Sequence, residues 1–124
     1  MSLYVTVGMC RGINYGTRAT GDATAWAWWD EAEDERESDR VRANTANGGD
    51  ETNAHLVVCS KESHTSLWGG DFDPDDPNAP VVDVVEWMRE SCYAGHEDDR
   101  LREFCDANGL PWREPRWLVV VDQS

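Results

Sequence analysis

The chain predicts an α+β fold. The expected form is a mainly antiparallel sheet of about four to five strands, with two C-terminal helices on one face and an acidic segment at 30–42 for which helix is one of two open conformations. Three observations carry this reading. Short β-rich runs stand at 3–10, 55–60 and 117–121; apolar residues recur at helical spacing only in the second half; and no repeat or linker interrupts the 124 residues. That length suits one domain, 1–124, with a single core.

Residues 3–10 are rich in Tyr, Val and Thr, which pack well on a pleated surface, and predict the first strand. Gly8, Gly12, Gly16 and Gly21 then predict a turn-rich connection. In 23–29, ATAWAWW, Trp26 and Trp28 alternate with alanines as on one face of a strand. Asp22 as an N-cap and the alanines argue instead for helix. The balance is a strand, or a short aromatic entry that turns helical by about Asp30.

Residues 30–42, DEAEDERESDRVR, contain good helix formers and almost no apolar face. Glu33 with Arg36, Glu37 with Arg40 and Asp39 with Arg42 favour a helix, and Asp30–Asp34, Glu31–Glu35 and Glu33–Glu37 oppose it. Residues 43–54 read as a polar loop around Gly48 and Gly49. Residues 55–60 predict a strand, and 62–68 offer its hairpin partner. Asn78 as a cap and Pro80 in a first turn open a helix whose stripe is Val81, Val84, Val85, Met88 and Cys92. A second helix at 97–107 sets Leu101, Phe104 and Cys105 on one side, and Gly109 suits its end. The run WLVVV at 117–121 reads as a buried strand.

Several function classes find no support. GxGxxG and P-loop signatures are absent, as is any apolar run long enough to span a bilayer. The first residues lack the basic start and apolar run of a signal peptide, so a cytoplasmic protein is expected, and with it free, buried thiols at Cys10, Cys59, Cys92 and Cys105. Asp71, Asp73 and Asp75 match the start of a calcium loop, but Asp76 stands where Gly is needed and Val82 where a bidentate Glu is needed. Pro74 and Pro77 also stiffen that stretch, so an exposed acidic turn is the expectation, with no metal and no cofactor. Cys92, His96 and Cys105 lack the paired spacing of a zinc knuckle. Cys10 or Cys59 with His55 or His64 would make a Cys–His dyad only if neighbouring strands joined them. The seven tryptophans would make a nucleic-acid stacking platform only beside a basic groove; they are expected mainly in the core, with Trp28 or Trp29 as an exposed anchor.

The net charge is −14, and ten of the eleven bases are Arg, with Lys61 the exception. Such a chain repels nucleic acid and anionic membrane and attracts basic surfaces. Residues 1–21 hold no acid, residues 107–124 are balanced, and the excess lies between Asp22 and Asp106. Seven acids fall within residues 30–39. In a helix they would come about every 2 Å along the axis, against ~1.7 Å per charge in duplex DNA. Extended, they would thin to one per ~5 Å.

The expectation is therefore a non-enzymatic acidic protein that occupies the basic nucleic-acid-binding surface of a partner. Its contacts would be Asp30, Glu31, Glu33, Asp34, Glu35 and Glu37, with Asp71, Asp73, Asp75 and Asp76 as a second patch. In charge, size and lack of a catalytic motif the chain is similar to inhibitors of restriction or CRISPR systems encoded by phages and mobile elements, which would place it in a host cytoplasm; the likeness is one of class, without a shared motif. Two other readings compete: a housekeeping domain adapted to high salt, and a small Cys/His enzyme or metal-binding protein.

Overall fold

The computed structural model describes residues 3–46, 53–72 and 96–123. The expected helix at 81–92 lies outside them, as do Cys92, Asp73, Asp75 and Asp76. The described chain is α+β: five antiparallel strands and two helices. In order these are β1 (Leu3–Gly16), α1 (Ala23–Glu31), β2 (Val41–Ala46), β3 (His55–Ser60), β4 (Thr65–Phe72), α2 (His96–Asn108) and β5 (Arg116–Gln123).

Strand β1 does not stop at Cys10 but runs 14 residues to Gly16. Gly8 and Gly12, read as turn punctuation, lie inside it and are tolerated because partners pair with it on both sides. A strand has two edges, and the register assigns them. Val5 to Met9 pair with both β4 and β5, so those two lie on opposite edges. Gly12 pairs with Cys59 of β3 and Arg116 of β5, so β3 lies opposite β5 as well. Strands β3 and β4 therefore line the same edge of β1 end to end, joined by the turn at 61–64. They are not the hairpin that their spacing suggested; β3 pairs instead with β2, from Val41↔Ser60 to Ala46↔His55.

The 23–29 segment is a helix and not a strand. Asp22 caps it, its side chain accepting from the Ala25 N–H at 3.0 Å. The chain enters this cap through Gly16, whose φ of +83° lies in the region open to glycine. Trp26 is buried and donates its indole N–H to the Gly16 carbonyl at 3.1 Å. Trp28 meets Phe104 edge to face at 5.8 Å, and Trp28 and Trp29 both pack half-buried against the core, so neither is the exposed anchor considered from sequence. The Trp–Ala alternation is too short to outweigh the cap and this packing.

The acidic segment at 30–42 is not a helix. Asp30 and Glu31 close the last turn of α1, where negative charge opposes the helix dipole, and the cap N–H of Ala32 ends it on the Trp28 carbonyl. Residues 33–35 form a turn, Glu37 bridges to Arg42, and β2 begins at Val41. Strand β2 also takes up the first part of the expected polar loop, through Ala46.

Helix α2 follows its sequence pattern. Glu97, Asp98 and Asp99 occupy its first turn, and Leu101, Phe104 and Cys105 are buried. Gly109 (φ +68°) ends it, and Leu110 N–H returns to the Cys105 carbonyl at 2.9 Å, a glycine-terminated helix end with Leu110 buried beside it. A two-pronged Arg11–Asp98 contact at 2.9 and 3.1 Å ties α2 to β1.

One face of the sheet, through Ile13, Tyr15, Val41, Ala43, Leu56 and Val58, packs against both helices. Burying side chains such as Leu101 and Phe104 supplies about 2 kcal/mol each. Tyr15 is fully buried and donates to the Pro111 carbonyl at 2.7 Å. Strand β5 is not the buried strand its apolar run suggested. Among the described residues it pairs only with β1, and Val119 and Val121 are 52% and 42% exposed. An unbroken apolar run does not by itself separate a central strand from an edge strand.

If Asp22 sets the start of α1, Asp22→Ala should cost about 1 kcal/mol, read as a lower urea midpoint with an unchanged slope. An unchanged midpoint would return the segment to a strand-like reading.

Candidate functional site

The acidic run is held by neighbours on three elements. From within the run, Arg36 folds back on α1 and donates Nε and Nη2 to the Trp29 carbonyl at 3.0 and 2.6 Å. That carbonyl is one of the acceptors a helix end leaves unpaired, so Arg36 caps α1 from outside. Its guanidinium also stacks on the Trp29 ring at 3.6 Å. Beyond it, the Ser38 N–H and hydroxyl both reach the Val41 carbonyl, and the Ala43 N–H reaches Arg36 O at 2.8 Å. From the β3–β4 turn, Lys61 gives its backbone N–H to Arg40 O at 2.9 Å and its ammonium to Glu37 at 2.5 Å. Arg40 pairs with Glu62 of the same turn.

Of the six predicted contact residues in this run, two are partnered. Asp30 takes both Nη atoms of Arg18 at 2.7 and 2.8 Å, and Glu37 takes Lys61. The bond from Arg18 holds the Asp30 carboxyl below the usual carboxylate range, and the bond from Lys61 does the same for Glu37. Glu31, Glu33, Asp34 and Glu35 are exposed and have no basic partner among the described residues. Many of the bases are committed elsewhere: Arg11 to Asp98, Arg100 to Glu103 and Arg113 to Asp22.

Between this turn and α2 lies an open groove of about 620 Å³. Asp34, Glu35, Glu37, Asp39 and Glu103 line it, with Phe104 among its apolar wall atoms. The two arginines that reach it, Arg40 and Arg100, already hold Glu62 and Glu103. Carboxylates around a partly apolar groove suit a Lys or Arg side chain, whose stem is apolar and whose head is cationic.

Sequence reasoning missed Glu103, Asp39 and the positioning role of Arg36. Arg36 sits seven residues after Trp29, and Glu103 enters only through the packing of α2. The second patch is not joined to this groove within the described residues. Asp71 pairs with Tyr4 near the start of β1, roughly 20 Å along the strand from the turn that holds Glu37.

The cysteines and histidines arrange differently from expectation. Cys10 and Cys59, read as free thiols, are paired as a disulfide, with Cα atoms 6.0 Å apart. Cys105 is a free, buried thiol beside the Tyr15 hydroxyl, and burial pushes its pKa up. His55 contacts the Asn14 side-chain oxygen at 3.1 Å. Among the described residues, no three His, Cys, Asp or Glu side chains gather as a metal site, and no helix is long and apolar enough to cross a membrane.

No protein-family model matches the chain, and no curated protein or solved structure matches it.

Two measurements follow from this geometry. Arg36→Ala should lose about 2 kcal/mol and raise amide exchange across residues 32–42, and Lys at this position should not restore it, because a point charge lacks the flat fork. The paired carboxylates of Asp30 and Glu37 are more acidic folded than unfolded. Their contribution is therefore whole above about pH 5 and vanishes as pH falls through the folded values. Arg18→Ala and Lys61→Ala should melt below the parent at neutral pH and converge with it in strong acid.

Proposed function

We propose that this protein is a non-enzymatic acidic binding protein that occupies the basic nucleic-acid-binding surface of a partner, in the manner of inhibitors of restriction or CRISPR nucleases. One observation carries the reading. Glu31 at the end of α1 and Glu33, Asp34 and Glu35 on the turn after it have no basic partner among the described residues, yet this stretch is pinned by Arg36 and Lys61. Like charges held together repel, and a fold selected only for solubility has little reason to fix them. Held in place, they lose little entropy on meeting a basic surface.

The geometry alters how the mimicry would work. A helix would have set the carboxylates along one axis at nearly the charge spacing of duplex DNA. The run forms a turn instead, so that linear match does not apply. What remains is a compact anionic cluster opening onto the groove beside Glu103 and Phe104. It suits a few Arg or Lys side chains from a phosphate-binding channel better than a long stretch of such a channel.

The experiment is competition. Labelled duplex DNA is bound to restriction and CRISPR nucleases, and its displacement by this protein is followed by anisotropy at several salt concentrations. The expected result is displacement from at least one nuclease, weakening steeply with salt. The combined substitution Glu33→Lys, Asp34→Lys and Glu35→Lys should fold normally and lose at least about 100-fold in affinity. Equal competition by that variant overturns the reading.

A second reading, adaptation to high salt, draws on the exposed acids away from the groove, Asp99 and Asp106 on α2, together with the scarcity of Lys. A protein of that kind would need molar KCl to reach its full melting temperature. A binding protein would melt with little dependence on KCl beyond the screening range.

A further inference from the structure

The sheet face turned away from the helices carries a second groove, of about 340 Å³. Val57 and Val120 wall it, and Arg42, Lys61, His64, Cys59 and Glu37 also line it. With two bases against one carboxylate its lining is net basic, unlike that of the acidic groove, and it holds a sulfur. Cys59 and Cys10 share this face, because Cys59 pairs with Gly12 and Cys10 lies two residues before Gly12 on β1.

The two sulfurs are unequal. Cys10 is 0% exposed, whereas Cys59 is partly exposed and lines the groove. Gly12 lets β3 pack close against β1 here: a Cβ there would stand 2.5 Å from the Val58 carbonyl oxygen and 3.2 Å from the Cys59 sulfur. The cationic side chains of Arg42 and Lys61 favour a thiolate at Cys59, although Lys61 is shared with Glu37. They equally favour an incoming thiol that carries carboxylates.

We propose that Cys59 is a site of thiol–disulfide exchange for a low-molecular-weight, carboxylate-bearing thiol of the glutathione type, with Cys10 as its buried partner. The incoming thiolate attacks the Cys59 sulfur. A mixed disulfide forms on Cys59 as the Cys10–Cys59 bond breaks, and Cys10 leaves with the electron pair and takes a proton. A second thiol attacks the sulfur of the bound thiol, releasing Cys59 and forming the small disulfide. Two thiols are thereby oxidised for one protein disulfide reduced, and the reverse sequence restores the cross-link.

The oxidised protein is incubated under native conditions with millimolar glutathione, quenched by alkylation, and mapped by peptide mass. The expected result is reduction of Cys10–Cys59 while the tryptophan fluorescence stays folded. Incubated with oxidised glutathione, Cys10→Ser should take one glutathione on Cys59, and Cys59→Ser should take at least about tenfold less on Cys10. Arg42→Ala should slow the reaction with glutathione several-fold more than that with neutral mercaptoethanol. Should either cysteine variant fail to fold, the wild-type and Arg42→Ala measurements still decide. A disulfide that glutathione reduces only in denaturant, an adduct on Cys10 in preference to Cys59, or equal slowing of both thiols by Arg42→Ala overturns the proposal.

Discussion

The pairing of β1 along both of its edges is the constraint on which the rest of this structure depends. Because β5 takes one edge, β3 and β4 must share the other, and the chain between them is forced into the turn at 61–64. That turn brings the Lys61 N–H to Arg40 and the Lys61 ammonium to Glu37. The far end of the acidic run is thus fixed by a decision made in the middle of the sheet. Its near end is fixed by Arg36, which closes α1 on the Trp29 carbonyl. Arg36 follows the exposed carboxylates directly but holds them through Trp29 of α1, and Lys61 comes from a turn more than twenty residues away.

That non-locality explains what could be read in the sequence and what could not. Helix α2 was legible because its acidic first turn, its stripe of Leu101, Phe104 and Cys105, and Gly109 all point the same way. Strand β3 was legible from 55–60 alone. Helix α1 was not, since the Trp26–Trp28 alternation competes with the Asp22 cap, and the deciding contacts lie on Gly16 and Phe104. The length of β1 was hidden by Gly8 and Gly12, whose tolerance comes from partners far along the chain. The acidic run carried helix-forming residues, yet Asp30 and Glu31 stand at a helix C-terminus and the next residues add like charges with no face to bury. For the site, the identity of the exposed acids was readable, whereas Glu103, Arg36 and the Cys10–Cys59 pairing belong to tertiary structure.

The distribution of charge bears on stability as well as on binding. Arg11, Arg18, Arg40, Arg100, Arg113 and Lys61 each hold an acidic partner, and such exposed or partly exposed pairs are individually worth little. Their larger consequence is to leave a particular set of carboxylates unbalanced. The imbalance is not uniform: it gathers at the end of α1, on the 33–35 turn and along one wall of the groove against α2. A local departure from the most stable arrangement, held rigidly, is where function is expected to sit.

Glu37 lines both grooves and pairs with Lys61, which lines the second, so one ion pair stands between the two proposed sites. Linkage then imposes a sign on their relation. A basic side chain seated in the acidic groove competes for Glu37 and returns the charge of Lys61 to the neighbourhood of Cys59, where it favours the thiolate. By reciprocity, a thiolate at Cys59 draws Lys61 and loosens its hold on Glu37, which favours the basic partner. The two effects must be equal in free energy. Reduction of Cys10–Cys59 and capture of a basic surface therefore reinforce each other if both occur on this molecule, and a protein in which they opposed each other would have to hold Lys61 by some other group than Glu37.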